Sequence, residues 1–294
     1  MLAIDGLSVA FPAPQGDVLA VDDLTLSIGA GEILGLVGES GAGKSLTGAA
    51  LAGLVPAPGR VLAGTVTIAG QRLAMRDTAR MAKLRGTTIS AIFQDPLAAL
   101  HPLQRIGTQL VETIRHVRGL ARGRAHALAL ELLASTGLPD PEMQMRRYAH
   151  QLSGGMRQRV VIALAMAPAP RILVADEPTA ALDVRTQTRI LTLLRRIADD
   201  QGIGILLVSH DFGAIAAIAE RTAVLQAGRI VEAGPTREVV CTPRHPHTRR
   251  LIHSVPSVHG RDRALAQHGG ATADPGEPCR GPVALRAPGE TRAP

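Results

Sequence analysis

Gly38-Glu39-Ser40-Gly41-Ala42-Gly43-Lys44-Ser45 fits the pattern G-x-x-x-x-G-K-[ST], and it stands where that pattern has mechanical meaning. Before it, residues 32–37 form a short apolar strand. After it, residues 44–54 carry the small and apolar side chains of a buried helix, closed by Gly53 and Pro56. Glycines at such a turn let successive backbone N–H groups curl around phosphate oxygens, and the helix start adds the positive end of its dipole. Lys44 is then placed to hold the β and γ phosphates of a nucleotide and Ser45 to bind Mg²⁺, with Leu46 completing the cradle. By chance alone the pattern would occur in roughly one chain of this length in a hundred. Only Lys44 and Lys83 are lysines among 32 basic residues. Arginine therefore serves almost everywhere that a positive charge suffices, and position 44 needs a compact ammonium.

About 130 residues further on, residues 171–177 form a second apolar strand ending in two carboxylates. Asp176 is placed to reach Mg²⁺, directly or through water, and Glu177 to orient and polarise a water attacking the γ-phosphate. Leu152-Ser153-Gly154-Gly155-Met156-Arg157-Gln158-Arg159 opens a helix with a hydroxyl and two glycines. Its free N–H groups and dipole again suit phosphate, so Ser153, Gly154 and Gly155 supply a second anion-binding helix start.

The rest of the chain supplies the frame. Residues 3–10 and 18–28 alternate like strands around a Pro- and Gly-rich turn; 65–68 and 88–93 read as further strands. Between 100 and 151 the spacing becomes helical, at 106–116 and 124–136, and a helix over 156–166 leads into the strand at 172–175. Helices at 185–199 and 212–220 alternate with strands at 203–208, 222–226 and 229–232. Continuously apolar strands such as Ile172-Leu173-Val174-Ala175 and Ile205-Leu206-Leu207-Val208 mark a parallel sheet covered on both faces. The expected fold is α/β with a helical insertion.

Composition excludes several classes. Hydrophobic residues make up 46% and charged residues 19% of the 294, so the whole chain is not disordered. With no Trp, one Tyr and three Phe, it offers no stacking platform for single-stranded nucleic acid, and the core must be built from Ala, Leu, Val and Ile. The longest apolar run, 160–167, is far short of the ~20 residues that cross a bilayer. Residues 1–10 read as a strand containing Asp5, without the basic start and apolar run of a secretory signal, so the protein is expected to stay in the cytoplasm. Much of the net charge of +7 lies from Arg237 onward, among prolines, and reads as a solvated tail or, as the second reading, a basic segment docking on an acidic surface. Residues 260–294, rich in Gly, Pro, Ala and Arg, are expected to be largely disordered.

Taken in order, these motifs resemble those of the ATP-binding cassette (ABC) ATPases, in which LSGGMRQR is the signature motif and GESGAGKS and ILVADEP are the two Walker motifs. The resemblance covers about residues 1–256, and it implies a P-loop fold with a parallel core sheet, an N-terminal antiparallel β subdomain and a helical subdomain at about 100–165. It also implies further roles. Gln94, in Phe93-Gln94-Asp95-Pro96, looks like the glutamine that contacts Mg²⁺ and senses the membrane partner. Asp183, in Ala181-Leu182-Asp183, looks like the D-loop residue, and His210, in Ser209-His210-Asp211, like the switch histidine. Phe11, the only aromatic residue upstream of the P-loop, is the candidate for stacking on adenine.

Within that family the chain resembles the peptide and nickel importers: GESG rather than GPSG or GPNG at the P-loop, FQDP followed by LHP, SGGMRQR, and Pro246-His247-Thr248-Arg249 beyond the core. Such chains look like the first of two different ATPases. The resemblance therefore implies a heterodimer with a second ABC ATPase, two transmembrane permeases, an extracytoplasmic solute-binding protein, and a peripheral place on the cytoplasmic face of the inner membrane. It implies no nucleic acid. The other reading left open is an ATPase of a soluble enzyme complex, such as that of phosphonate degradation. Many members carry a C-terminal iron–sulfur cluster, but here only Cys279 falls in that region, and with Cys241 it cannot supply four thiolates, so no cluster is expected. Ala149 and Ala180 replace the usual Pro and Thr.

Overall fold

The computed structural model describes residues 2–254 of the chain. Strands β1 (Leu2–Phe11) and β2 (Val18–Ile28) form a hairpin; β3 (Ile33–Gly38) follows and delivers the chain to α1 (Lys44–Leu51). Then come β4 (Arg60–Ile68), β5 (Gln71–Ala74), α2 (Thr78–Leu84) and β6 (Ile89–Ile92). A helical stretch holds α3 (Ile106–Arg118), α4 (Arg122–Ser135), α5 (Pro141–Arg146) and α6 (Gly154–Met166). The remainder alternates: β7 (Ile172–Asp176), α7 (Val184–Gln201), β8 (Gly204–Ser209), α8 (Phe212–Ile218), β9 (Arg221–Gln226), β10 (Arg229–Pro235), α9 (Thr236–Cys241) and α10 (Pro246–Ser254).

Two sheets result. One is antiparallel, ordered β2-β1-β4-β5; the other runs β10-β9-β3-β8-β7-β6, with β9, β3, β8, β7 and β6 parallel and β10 antiparallel at the edge. Every residue of β3, β7 and β8 is buried, as expected of strands covered on both sides. The period of two divides their side chains between two cores. Ile33, Val37, Leu173, Ala175, Ile205 and Leu207 pack with the helices, whereas Leu34, Leu36, Ile172, Val174, Leu206 and Val208 pack with the antiparallel sheet and α1. The parallel sheet is thus the middle layer, and its C-terminal edge carries the loops after β3, β6, β7 and β8.

The sequence reading runs α1 on to residue 54, but the helix ends at Leu51 because Gly53 turns the chain at φ +65°. Helix α6 starts two residues earlier than the periodicity predicts, since Ser153 caps it and both glycines fall in its first turn. Elements β5, α2, α5, α9 and α10 have no counterpart in the expected order; all are short, β5 with four residues and the helices with no more than nine. The expected disordered tail lies outside the described residues.

Gly38 ends β3 against Leu225 of β9, and a Cβ at position 38 would run into the Leu225 carbonyl oxygen. Gly38→Ala should therefore push β3 off β9 and destabilise the fold by about 1–3 kcal/mol, the usual cost of overpacking a filled site. The midpoint of chemical denaturation measures this, and an unchanged midpoint would show that the sheet edge yields freely.

Candidate functional site

The loop between β3 and α1 is shaped by glycine where nothing else fits. Gly41 and Gly43 have φ of +82° and +103°, and a Cβ at Gly43 would lie 2.5 Å from the Ala20 carbonyl oxygen of β2. Lys44 is 7% exposed, and its Nζ donates to the carbonyls of Gly38 and Glu39, each at 2.9 Å. The ammonium is therefore bent back over the arch it serves. Burial lowers its pKa, against the opposing pull of the Glu177 and Asp176 carboxylates. Ser45 Oγ donates to Asp176 Oδ1 at 3.0 Å, joining the start of α1 to the end of β7. Burial pushes the Asp176 carboxyl up, partly offset by the Ser45 hydrogen bond. The N–H groups at the start of α1 have no intrahelical acceptor, which leaves them for an anion.

Glu177 sits one residue beyond β7 in the left-handed region, φ +49°, with its N–H donating to the Val208 carbonyl at 2.9 Å. A non-glycine residue there carries strain of about 1 kcal/mol or more, which the surrounding sheet holds in place. Its carboxylate is turned toward the end of β8. Oε1 accepts from the His210 backbone N–H at 2.9 Å and lies 2.8 Å from His210 Nδ1, so the carboxylate and the imidazole form one unit. Gln94 lies two residues beyond β6, exposed, past the strand that pairs with β7. Lys44, Ser45, Asp176, Glu177, His210 and Gln94 thus all belong to one edge of one sheet.

The second helix start is built separately. Ser153 Oγ accepts from the Met156 N–H at 3.3 Å, capping α6, and Ser153 and Gly154 are exposed. A Cβ on Gly155 would meet Thr186 Cγ2 at 2.5 Å, and Thr186 N–H and Oγ1 donate to the Asp183 carboxylate at 3.0 and 2.7 Å. These bonds, the hydroxyl first, hold the Asp183 carboxyl below its ordinary pKa. The capped starts of α6 and α7 are thereby packed together. Among the described residues no hydrogen bond joins Ser153, Gly154 or Gly155 to the P-loop, Asp176, Glu177 or His210. The sequence reading missed Gln187, whose amide donates to Asp211 at 3.1 Å and ties α7 to the loop carrying His210.

Two candidates take more limited positions. The Leu46 side chain packs into the core beneath the antiparallel sheet, so its contribution to the cradle is its backbone N–H alone. Phe11 is half-exposed at the end of β1, its ring against Gly59, where a Cβ would come within 2.7 Å of it. Its cross-strand partner Val18 is two residues from Ala20, whose carbonyl backs Gly43. The expectation about an iron–sulfur cluster turns on Cys279, which lies outside the described residues.

The chain matches the family described as ABC transporter over residues 21–180, and the one described as oligopeptide/dipeptide transporter, C-terminal region, over 231–281. The oligopeptide transport ATP-binding protein OppD of Salmonella typhimurium is 41% identical over 258 residues, 88% of this chain and 77% of that one. The probable D,D-dipeptide transport ATP-binding protein DdpD of Escherichia coli is 41% identical over 266 residues, 90% and 81% of the two chains. Among solved structures, the dimeric post-hydrolysis state of the ATP-binding cassette MJ0796 bound to ADP and Pi superposes with a TM-score of 0.71 at 27% identity, covering 81% of this chain and 99% of that one.

Proposed function

The chain belongs to the ABC transporter family, in its oligopeptide and dipeptide branch, and from that premise we propose that it is the ATP-hydrolysing subunit of an importer for di- or oligopeptides. The observation that carries this reading is the convergence of Lys44, Ser45, Asp176, Glu177 and His210 on one edge of the parallel sheet. No helix among the described residues is long and apolar enough to cross a membrane.

In this reading the N–H groups of Gly41, Gly43, Lys44, Ser45 and Leu46 receive the phosphates of ATP, while that of Ala42 donates to the Glu39 carbonyl and shapes the loop. The Lys44 ammonium leaves the Gly38 and Glu39 carbonyls for the β and γ oxygens. The oxygen donors Ser45 and Asp176, already within one hydrogen bond of each other, suit a hard divalent cation, with Gln94 completing the set. Bound Mg²⁺ neutralises charge that builds on the phosphate oxygens. Glu177 holds the attacking water in line, and His210 fixes the direction of that carboxylate. Phe11 stacks on the adenine.

The phosphate site is half of a site. Its P-loop lies open, and the second anion-binding helix start, at Ser153, is tied to α7 rather than to it. Two chains facing each other place the Ser153 end of one over the Lys44 end of the other, and nucleotide between them relieves the repulsion of two positive helix ends. We infer that the second chain is a different ATPase. The helical unit formed by α3, α4, α5 and α6 faces two permeases on the cytoplasmic side of the membrane, and a binding protein delivers the peptide.

Co-purification with two membrane subunits in detergent tests this reading; isolation with soluble enzymes instead would reverse it. A further expected result concerns Phe11. Stacking is equally available before and during phosphoryl transfer, so Phe11→Ala should weaken ATP binding with a smaller change in the saturated rate. Calorimetric titration with ATP measures it, and an unchanged affinity would reduce Phe11 to a packed strand residue.

A further inference from the structure

Two features that the sequence holds more than 200 residues apart meet in the structure: Glu39, the second residue of the P-loop, and His247, in the first turn of α10. His247 is 2% exposed, its Nδ1 lies 3.9 Å from Glu39 Oε1, and neither of its ring nitrogens has a hydrogen-bond partner among the described residues. A buried polar atom is rarely left unpaired, so the imidazole needs an acceptor, and the Glu39 carboxylate is the one beside it. That carboxylate is free to move, since the Glu39 side chain is 68% exposed, and a shift of about 1 Å brings it to hydrogen-bonding distance. The imidazole, by contrast, is held in place. Glu232 accepts from the N–H groups of Arg244 and His245 at 2.8 and 3.0 Å, and His245 Nδ1 accepts from the His247 N–H at 3.2 Å. The start of α10 is thus pinned to β10, and His247 reaches the P-loop from a fixed base.

Resting on the ATPase reading above, we propose that His247 is a positioning residue for nucleotide binding: its Nδ1–H donates to the Glu39 carboxylate and so anchors the P-loop arch to the C-terminal helix. The Glu39 carbonyl is one of the two that hold Lys44 Nζ, so the anchor acts on the peptide from which the ammonium is released to phosphate. It also draws a carboxylate aside from the place where the phosphates bind, which removes a like-charge repulsion. Neither effect belongs to the transition state alone, so both act on affinity more than on turnover.

The experiment compares MgADP affinity, by calorimetry, for the full-length parent and for His247→Leu, His247→Asn, Glu39→Ala and the Leu/Ala double variant in the assembled complex, with melting temperatures measured in parallel. Leu fills the imidazole's volume without its nitrogens, whereas the Asn amide nitrogen lies near the place of Nδ1. Expected are a loss of roughly three- to tenfold for His247→Leu, the scale of one ordinary hydrogen bond, since the Glu39 carboxylate is largely exposed, retention of most of the affinity by His247→Asn, and no effect of the Leu substitution once Glu39 is Ala. Parent-like affinity in His247→Leu, or the same loss with Glu39 absent, would reduce His247 to packing and overturn the proposal. A parent that binds no MgADP would instead overturn the ATPase reading.

Discussion

Glu177→Gln should keep nucleotide bound while hydrolysis falls by at least ~10²-fold, the scale on which a positioned base contributes. The substitution is close to isosteric and removes the charge while leaving an oxygen to accept the His210 backbone N–H, now 2.9 Å from Glu177 Oε1. Lys44 keeps both of its carbonyl partners and Ser45 keeps Asp176, so the hydrogen bonds of the phosphate cradle are retained and only the Glu177 charge acting on the Lys44 ammonium is lost. What is lost is the capacity to polarise water. The left-handed backbone at position 177 is held by its N–H bond to Val208, and the carboxylate meets the His210 N–H just beyond the end of β8. Single-turnover hydrolysis in the assembled complex reads the effect. A rate equal to the parent's would remove Glu177 from the chemistry and leave it as the partner that orders His210.

Ser153→Arg should abolish most hydrolysis at the P-loop of the facing subunit without removing ATP from Lys44. Ser153 is exposed at the start of α6, and its hydroxyl caps the helix by accepting from Met156. Arginine removes that cap, at a cost of about 1 kcal/mol to the helix, and fills with a long side chain the surface on which the partner's γ-phosphate would rest. Asp183 and Thr186 still hold the start of α7 next to Gly155, so the lesion stays local. Nucleotide binding to this chain and phosphate release by the complex separate the two effects. Full activity of a monomer carrying Ser153→Arg would contradict the two-chain site.

Much of this was readable from residues alone, because the informative elements are those whose chemistry is local. A continuously apolar strand such as Ile172–Asp176 announces a buried parallel sheet, and a glycine turn followed by Lys44 announces a phosphate cradle. The start of α6 was also open, with the Ser153 hydroxyl three residues before the N–H it accepts, whereas the Asp183 cap of α7 appears only in the structure. What was not readable depends on tertiary placement. Strand β5 is held by its pairing with β4 rather than by its own four residues, and α5 is a six-residue turn begun by Asp140 and Pro141. Leu46 follows the motif in sequence, yet its side chain turns into the core. The approach of His247 to Glu39 has no sequence spacing to betray it, since the two are brought together only after β9 has paired with β3 and β10 with β9.

ATP-driven peptide uptake is the activity on which every role assigned to Lys44, Glu177 and Ser153 converges. This chain is reconstituted in proteoliposomes with the two permeases and the second ATPase proposed above, with Mg²⁺ and ATP enclosed, and binding protein with radiolabelled oligopeptide outside. Labelled peptide is predicted to accumulate inside with the parent chain and to remain at the ATP-free level with Glu177→Gln. Accumulation undiminished by Glu177→Gln, or ATP hydrolysis by the parent with no uptake of any di- or oligopeptide, would contradict it.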